Sequence, residues 1–112
     1  MVEPEKVKVA YTDDRATVIG LGELDLYYIS QFDKALTDAV SSNKSVVVDL
    51  TGATFIDSAI LQSIIKHGKT IFNRGDRLKI LVTSGSHPEF VLETVGFNII
   101  VDIVSIEPDG SD

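Results

Sequence analysis

The sequence predicts an α/β domain: a mixed, mostly parallel sheet with an antiparallel N-terminal hairpin and helices packed on it. Strand-like segments alternate along the chain with segments whose apolar residues recur at helical spacing, which predicts parallel strands joined through helices. Only a short acidic turn separates the first two strand-like segments, which predicts the hairpin. We expect a single domain over residues 1–112, with a frayed polar tail over Glu107–Asp112.

The hairpin is predicted from Val7–Thr12 and Ala16–Leu21. Large apolar side chains occupy every second position of the first segment, as in a half-exposed strand. Asp13-Asp14 is expected to form the turn, with both carboxylates in solvent. Gly22–Asp25 then closes the second strand and opens a loop.

The first helix is predicted to start at Ser30, which forms a capping box with Asp33. Its apolar stripe consists of Phe32, Ala35, Leu36, Ala39 and Val40. The β-branched run Val46–Val48 predicts a strand that is buried on both faces. Thr51-Gly52 predicts a turn, so a short loop is expected between this strand and the next helix.

Asp57-Ser58 directly precedes the second helical pattern, where a short oxygen-bearing side chain can accept from free backbone N–H groups. The apolar stripe of this helix consists of Ile60, Leu61, Ile64, Ile65, Ile71 and Phe72. Its opposite, polar face carries Gln62, Ser63, Lys66, His67, Lys69 and Asn73. Asn73-Arg74-Gly75 is expected to end the helix, with a cation in the last turn and glycine beyond it.

The C-terminal part of the chain predicts a strand, a helix and a last strand. The strand covers Leu78–Val82. Ser86 and Glu89 predict a second capping box, and the helix carries Phe90, Val91 and Val95 and ends at Gly96. The last strand is predicted over Ile99–Val104.

Charge and composition exclude several kinds of partner. The net charge of −7 argues against nucleic acid and against an anionic membrane surface, because both are bound largely through Lys and Arg. The chain contains no cysteine, which excludes disulfides and thiolate chemistry. Neither a signal-peptide pattern nor an apolar run of about 20 residues is present, and a cytoplasmic location is therefore expected.

The sequence gives little support to enzymatic or metal chemistry. His67 is expected to be a solvated helix residue, and His87 lies where the third helix begins; neither has an acidic or histidine partner at ligand spacing. No Walker loop or dinucleotide glycine pattern is present, and we expect no cofactor. Ser58 is either a plain helix cap, a modification site, or both, since a cap hydroxyl can also be modified.

Three segments carry a resemblance to a known family. These are Gly22–Asp25, Asp49–Gly52 and Phe55–Leu61, of which the part around Asp57-Ser58 is the most specific. Together they resemble the STAS domain of bacterial anti-sigma-factor antagonists, and the resemblance extends over nearly the whole chain. It implies a single STAS-type domain with no enzymatic activity of its own.

The resemblance also implies a function. Such antagonists bind an anti-sigma factor, usually a serine kinase, and thereby release a sigma factor. The kinase phosphorylates a serine at the start of the second helix, here Ser58, which ends the binding until a PP2C-type phosphatase removes the phosphate. Asp25, Asp57 and the Asp49–Thr51 segment match positions near that serine. The implied partner-binding residues are Asp25, Asp57, Ser58, Ala59, Ile60 and Gln62.

One position departs from the family pattern. Members usually have Ser-Gly or Ala-Gly after the phosphorylatable serine, whereas this chain has Ala59-Ile60. If that glycine admits the partner, Ile60 alters or blocks the contact. Alternatively, Ile60 packs inward with Leu61 and Ile64.

Two other functions are compatible with a STAS domain. The first is constitutive docking without phosphorylation, as a scaffold or transport-accessory protein. The second is nucleotide binding by the loops that carry Asp25 and Ser58, close to a helix N-terminus. The three hypotheses differ in whether Ser58 accepts phosphate, whether complexes form without phosphate turnover, and whether nucleotide binding is saturable.

Overall fold

The predicted α/β architecture is confirmed by the computed structural model, which describes residues 5–96 and 98–108. Five strands form one sheet in the order β1-β2-β3-β4-β5. They are β1 Val7–Tyr11, β2 Arg15–Leu24, β3 Ser45–Ile56, β4 Leu78–Thr83 and β5 Val101–Ile106. Strands β1 and β2 are antiparallel, and every later pair of neighbours is parallel.

Helices connect the parallel strands. A 3-10 helix, Leu26–Tyr28, leads directly into α1 (Ile29–Ser41) between β2 and β3. Helix α2 (Ser58–Asn73) connects β3 to β4, and α3 (His87–Val95) connects β4 to β5. Helices α1 and α2 pack against each other, so their N-terminal turns lie side by side at the edge where the parallel strands end.

The hydrophobic core lies under one face of the sheet. The strand register aligns Val18 with Val48 and Val48 with Ile80, and all three are fully buried. Phe32 from α1 and Ile64 from α2 are also fully buried in the same cluster. Burying a side chain of this size contributes about 1.5–3 kcal/mol, so the interlocked strands and helices fix where the helix ends lie.

The predicted turn at Thr51-Gly52 is wrong, because β3 continues through it to Ile56. The pairing of β3 with β2 is irregular here, with register shifts after Ile19 and after Gly22. A Cβ atom on Gly52 would lie only 2.7 Å from Leu21, so the glycine marks a close approach within the sheet rather than a chain reversal. The loop expected before the second helix is therefore reduced to Asp57.

The predicted cap of the first helix is also wrong. Helix α1 begins at Ile29, and Tyr28 occupies the N-cap position without a side-chain hydrogen bond. Ser30 lies inside the first turn because the preceding 3-10 helix already sets the direction of the chain. Asp33, the expected partner of Ser30, turns instead toward α2.

Several predicted exposures are reversed. Ser63 and His67, which were expected on the solvated face of α2, are buried, whereas Phe72 is 40% exposed. In α3 the buried residues are Pro88 and Leu92, and the apolar side chains of Phe90 and Val95 are exposed. The last strand covers Val101–Ile106 rather than Ile99–Val104.

The cap and the end of α3 are confirmed, but the reciprocal half of the predicted capping box is not. Ser86 accepts from the Glu89 N–H, whereas the Glu89 carboxylate accepts from the Gly85 N–H rather than from that of Ser86. Gly96 ends the helix with φ of 68°, a left-handed conformation that suits glycine. Of the tail that was expected to fray, residues 109–112 lie outside the described residues.

Candidate functional site

The site forms at the edge of the sheet where β2 and β3 end. Leu24 pairs with Ile56, and the Asp57 N–H donates to the Leu24 carbonyl at 2.9 Å. This pairing brings Asp25 and Asp57, the first residues after the two strands, to neighbouring positions. The connection of each strand to its helix is short, so both helices begin beside these carboxylates.

Asp57, and not Ser58, caps helix α2. Its carboxylate accepts from the Ala59 N–H at 2.8 Å, and its carbonyl accepts from the Leu61 N–H at 3.1 Å. Ser58 is the first helical residue and is exposed. Its side chain makes no hydrogen bond with the described part of the chain, so the hydroxyl at the positive end of the helix is accessible to another molecule.

Asp25 organises the turn on the other side of the site. Its carboxylate accepts from the Tyr27 N–H, and its carbonyl accepts from the Tyr28 N–H, both at 3.0 Å. Tyr28 is buried, whereas Leu26 and Tyr27 are 62% and 75% exposed. The 3-10 helix therefore holds two large apolar side chains in solvent next to Asp25.

His87 supports β3 just before the site. Its Nδ1 accepts from the Ile56 N–H at 3.2 Å, and its ring stacks on Phe55 with 4.7 Å between centroids. This contact requires Nδ1 to be unprotonated. His87 is thus a positioning residue for the strand that leads into Ser58. No local sequence pattern predicts this role, because the partner of His87 is a backbone group 31 residues away.

A groove runs from the site between α1 and α2. It has a volume of about 590 Å³, and its lining includes Ser30 and Asp33 from α1 with Ala59 and Gln62 from α2. Because Ala59 follows Ser58 directly, the groove is continuous with the exposed serine. A partner that covers Ser58 can therefore extend into the groove.

The wall of the groove is built around Asp33. One carboxylate oxygen, Oδ1, accepts from Ser63 Oγ at 2.7 Å and lies 3.0 Å from both Lys66 Nζ and His67 Nε2. Partial burial alone would raise the pKa of Asp33, but the hydrogen bonds from Ser63, Lys66 and His67 outweigh it and lower the pKa from 3.8 to about 2. Asp33 is therefore a carboxylate at neutral pH and joins the two helices.

Most of the predicted partner-binding residues come together on one surface. Asp25, Ser58 and Gln62 are exposed, and Asp57 and Ala59 are partly exposed. Whether a partner binds them stays a prediction. Leu26 and Tyr27 lie in the same surface but were not predicted.

One predicted residue and one predicted segment do not belong to that surface. Ile60 is fully buried, so a partner cannot contact it in this conformation, and it packs inward as the second of the two alternatives stated. The Asp49–Thr51 segment lies within β3, roughly 17–23 Å before Ile56 at the usual rise per strand residue, and is thus not adjacent to Ser58. There the Asp49 carboxylate accepts from the Thr51 hydroxyl at 2.7 Å.

The described residues lack two features that would indicate other classes of protein. Over residues 5–96 and 98–108, no group of three or more His, Asp or Glu side chains is arranged to hold a metal ion. None of the helices in that same part of the chain is long and apolar enough to cross a membrane.

Comparison with known proteins shows the family. The STAS domain family matches residues 8–109, and the chain therefore belongs to it. A putative anti-sigma factor antagonist from Thermotoga maritima shares the fold with a TM-score of 0.73, at 24% identity over 88% of this chain and 85% of that chain. The cell fate determinant SpoIIAA of Bacillus in its phosphorylated form has a TM-score of 0.68, at 14% identity over 92% and 93%.

A similarity of a different kind involves an enzyme. The chain is 36% identical over 84 residues to hydroxyethylthiazole kinase of Leptospira biflexa. The match covers 73% of this chain but 32% of that protein, so the chain spans about a third of the length of this relative.

Proposed function

We propose that this protein is an anti-sigma-factor antagonist that binds an anti-sigma factor with serine kinase activity and loses that binding when Ser58 is phosphorylated. The observation that carries the proposal is the division of roles at the start of α2. Asp57 supplies the helix cap, which leaves the Ser58 hydroxyl exposed and available for modification. Phosphate can then be added and removed without loss of the cap.

The chemistry of the switch follows from this geometry. The kinase transfers the γ-phosphoryl group of ATP to Ser58 Oγ; the hydroxyl proton leaves to a base of the kinase, and ADP is released. The added charge of about −1.5 to −2 is favoured by the positive end of α2. At a docked interface the same charge must lose water beside Asp25 and Asp57, which weakens the complex without refolding. Hydrolysis by a PP2C-type phosphatase then restores the serine and releases inorganic phosphate.

Ile60 supports this assignment. Its side chain faces the core, so the departure from the family's glycine leaves the outer surface of the first helical turn to Ser58, Ala59 and Gln62. The steric objection raised by the sequence does not apply to a partner that approaches from outside. The fold shared with SpoIIAA, whose structure has a phosphorylated form, is consistent with the same kind of switch.

In this proposal the protein is the substrate of a kinase and has no catalytic role. We place it in the cytoplasm, where ATP, the kinase and the sigma factor are found, and assign it no nucleic-acid, membrane or cofactor partner. The activity in the name of the Leptospira relative is not transferred, because the match leaves about two thirds of that protein uncovered.

The proposal is tested by phosphorylation of the purified protein. Each candidate anti-sigma kinase of the host is incubated with the protein and ATP, and phosphate is located by mass spectrometry. We expect one phosphate on Ser58, its absence in Ser58→Ala, and loss of kinase binding after phosphorylation. Ser30→Ala is the matched control, because Ser30 is also an exposed serine in the first turn of a helix, across the groove from Ala59.

Three results would contradict the proposal in different ways. Phosphate on Ser30 instead of Ser58 would overturn the site. Stable kinase binding with no phosphate transfer would indicate a constitutively docking scaffold. Saturable binding of ATP by the protein alone, weakened by Ser58→Glu, would indicate a nucleotide-binding module.

A further inference from the structure

The exposed part of the 3-10 helix is an apolar feature that the fold does not need. Leu26 and Tyr27 are 62% and 75% exposed, so neither contributes much buried area to the core. The core contact of this segment is made by Tyr28, which is 8% exposed. Two large adjacent side chains kept in solvent by an ordered turn are typical of an interaction surface.

The turn that presents these side chains is fixed by several contacts. The Asp25 carboxylate accepts from the Tyr27 N–H at 3.0 Å, and the buried Tyr28 ring meets the Tyr27 ring edge-on with 5.0 Å between centroids. Lys6 Nζ lies 4.9 Å from the centroid of the Tyr28 ring. Little conformational entropy is then lost when a partner binds, which favours affinity.

The charges around the turn define the chemistry of the partner. Glu23 and Asp25 are exposed on either side of Leu24, and Asp57 follows the paired strand end. Lys6, whose Nζ donates to the Glu23 carbonyl at 3.2 Å, adds one cation, so carboxylates outnumber cations around the turn. A surface that covers Leu26 and Tyr27 therefore meets carboxylates at the same time. The complementary surface combines an apolar pocket with Lys or Arg side chains at its rim, since such pairing fixes orientation and excludes acidic surfaces.

We propose that Leu26 and Tyr27 are the apolar anchor by which this protein docks on the anti-sigma kinase. The inference rests on the proposed function, because it names the kinase as the occupant of this surface. Tyr27 contributes most of the binding free energy of the anchor, because tyrosine is enriched among the few residues that dominate binding at interfaces. Asp25 has two roles here, as the cap of the turn and as a charge beside the anchor.

The test compares the affinity of the kinase that phosphorylates Ser58 for the wild type and four variants of the protein, measured by calorimetry without ATP. We expect Tyr27→Ala to weaken binding about 30-fold or more, the usual effect of removing a dominant side chain. Leu26→Ala should weaken it about tenfold. Tyr27→Phe should retain most of the affinity, because the ring makes the contact.

Tyr11→Ala is the matched control. Tyr11 is 49% exposed and pairs with Ala16, at the opposite edge of the sheet, where β2 and β3 begin. We expect its affinity to stay within twofold of the wild type, and thermal unfolding of all variants to match the wild type within a few degrees.

The outcomes separate this inference from the proposed function. If Tyr27→Ala binds the kinase as tightly as the wild type while phosphorylation of Ser58 still abolishes binding, the anchor is wrong and the switch stands. If Tyr11→Ala and Tyr27→Ala weaken binding equally, the loss is not specific to the turn, and the anchor is again wrong. If the wild type neither binds a kinase nor accepts phosphate, the proposed function fails and the anchor fails with it.

Discussion

Among the residues that the structure describes, Asp33 connects three side chains of α2. Three donors from α2 meet at one carboxylate oxygen, and His67 among them is buried and also lies 3.4 Å from Thr37 Oγ1. A buried polar group without a partner costs about 1–3 kcal/mol, so Asp33 satisfies several groups that would otherwise destabilise the helix pair. The arrangement resembles a catalytic triad only in composition, because Ser63 and His67 bond to Asp33 and not to each other.

The pKa of Asp33 sets the pH range over which it stabilises the fold. Because this pKa falls from 3.8 to about 2 on folding, the stabilisation is fully present above pH 4 and is lost as pH falls toward 2. We expect Asp33→Asn to lower the free energy of unfolding at pH 7 by roughly 1–2 kcal/mol, allowing for solvent screening of a partly exposed group.

Urea denaturation of the wild type and of Asp33→Asn at several pH values tests this expectation. The difference between them should be largest above pH 4 and should shrink toward pH 2. Asp38→Asn is the control, because Asp38 pairs with Lys34 in an exposed i,i+4 ion pair and should change stability much less. A difference between wild type and Asp33→Asn that does not vary between pH 2 and pH 7 would contradict the assigned role.

Among the elements, the junction of β3 and α2 determines the site. A single residue, Asp57, joins a strand held by β2 and by His87 to a helix that it also caps. The exposed serine follows at once, so its position is set by a strand end, a cap and a buried Ile60. This is why the site is rigid although it lies at the end of secondary-structure elements.

Loss of the Asp57 cap should destabilise α2. Removing a capping side chain typically costs about 1 kcal/mol, and we expect Asp57→Ala to lower the free energy of unfolding by that amount. Asp57→Ser, which retains an oxygen for the Ala59 N–H, should lose less than half as much. Chemical denaturation at neutral pH measures both changes. Equal losses in the two variants would show that charge and not capping is responsible.

The sequence predicted the helices and strands better than the caps and turns that connect them. Apolar periodicity located all five strands and three helices, because each element must bury one face. The local capping pattern placed the first helix cap at Ser30, because it cannot reveal that Asp33 bonds across to α2. The Thr51-Gly52 pair was read as a turn. The glycine is instead explained by the close approach of Leu21, a tertiary contact that no local pattern shows.

The positions of the candidate site residues were predictable only in part. Asp57 and Ser58 were singled out because they directly precede a predicted helix, whereas Asp25 entered only through the family resemblance; that a partner binds them stays a prediction. Leu26 and Tyr27 were missed because an apolar pair after a strand does not by itself distinguish core from surface; Tyr28, the next residue, is in fact buried. Which member of such a run turns inward depends on the 3-10 helix, which has no clear sequence pattern.

For the molecule as a whole, charge is distributed unevenly between the two edges of the sheet. The edge that carries Ser58 has Glu23, Asp25 and Asp57 at the ends of β2 and β3. The opposite edge, where β2, β3 and β4 begin, carries the cations Arg15, Lys44, Arg74, Arg77 and Lys79 together with the acids Asp13, Asp14, Asp76 and Asp102. Cations and acids nearly balance there, whereas at the Ser58 edge three carboxylates face one nearby cation, Lys6, which makes that edge the more acidic of the two. Such a field steers a basic surface toward that edge before contact.

Steering by the acidic edge should appear in the association rate of the kinase. Glu23→Gln removes one exposed charge there, and we expect association to slow about twofold at low ionic strength while dissociation changes little. Stopped-flow mixing measures both rates. The difference should fade as salt is raised, because the screening length falls from about 10 Å at 0.1 M to about 3 Å at 1 M. Asp13→Asn removes an exposed charge at the other edge and should leave the association rate unchanged. If both variants slow association equally, the effect comes from the net charge of the protein and not from the position of the carboxylates.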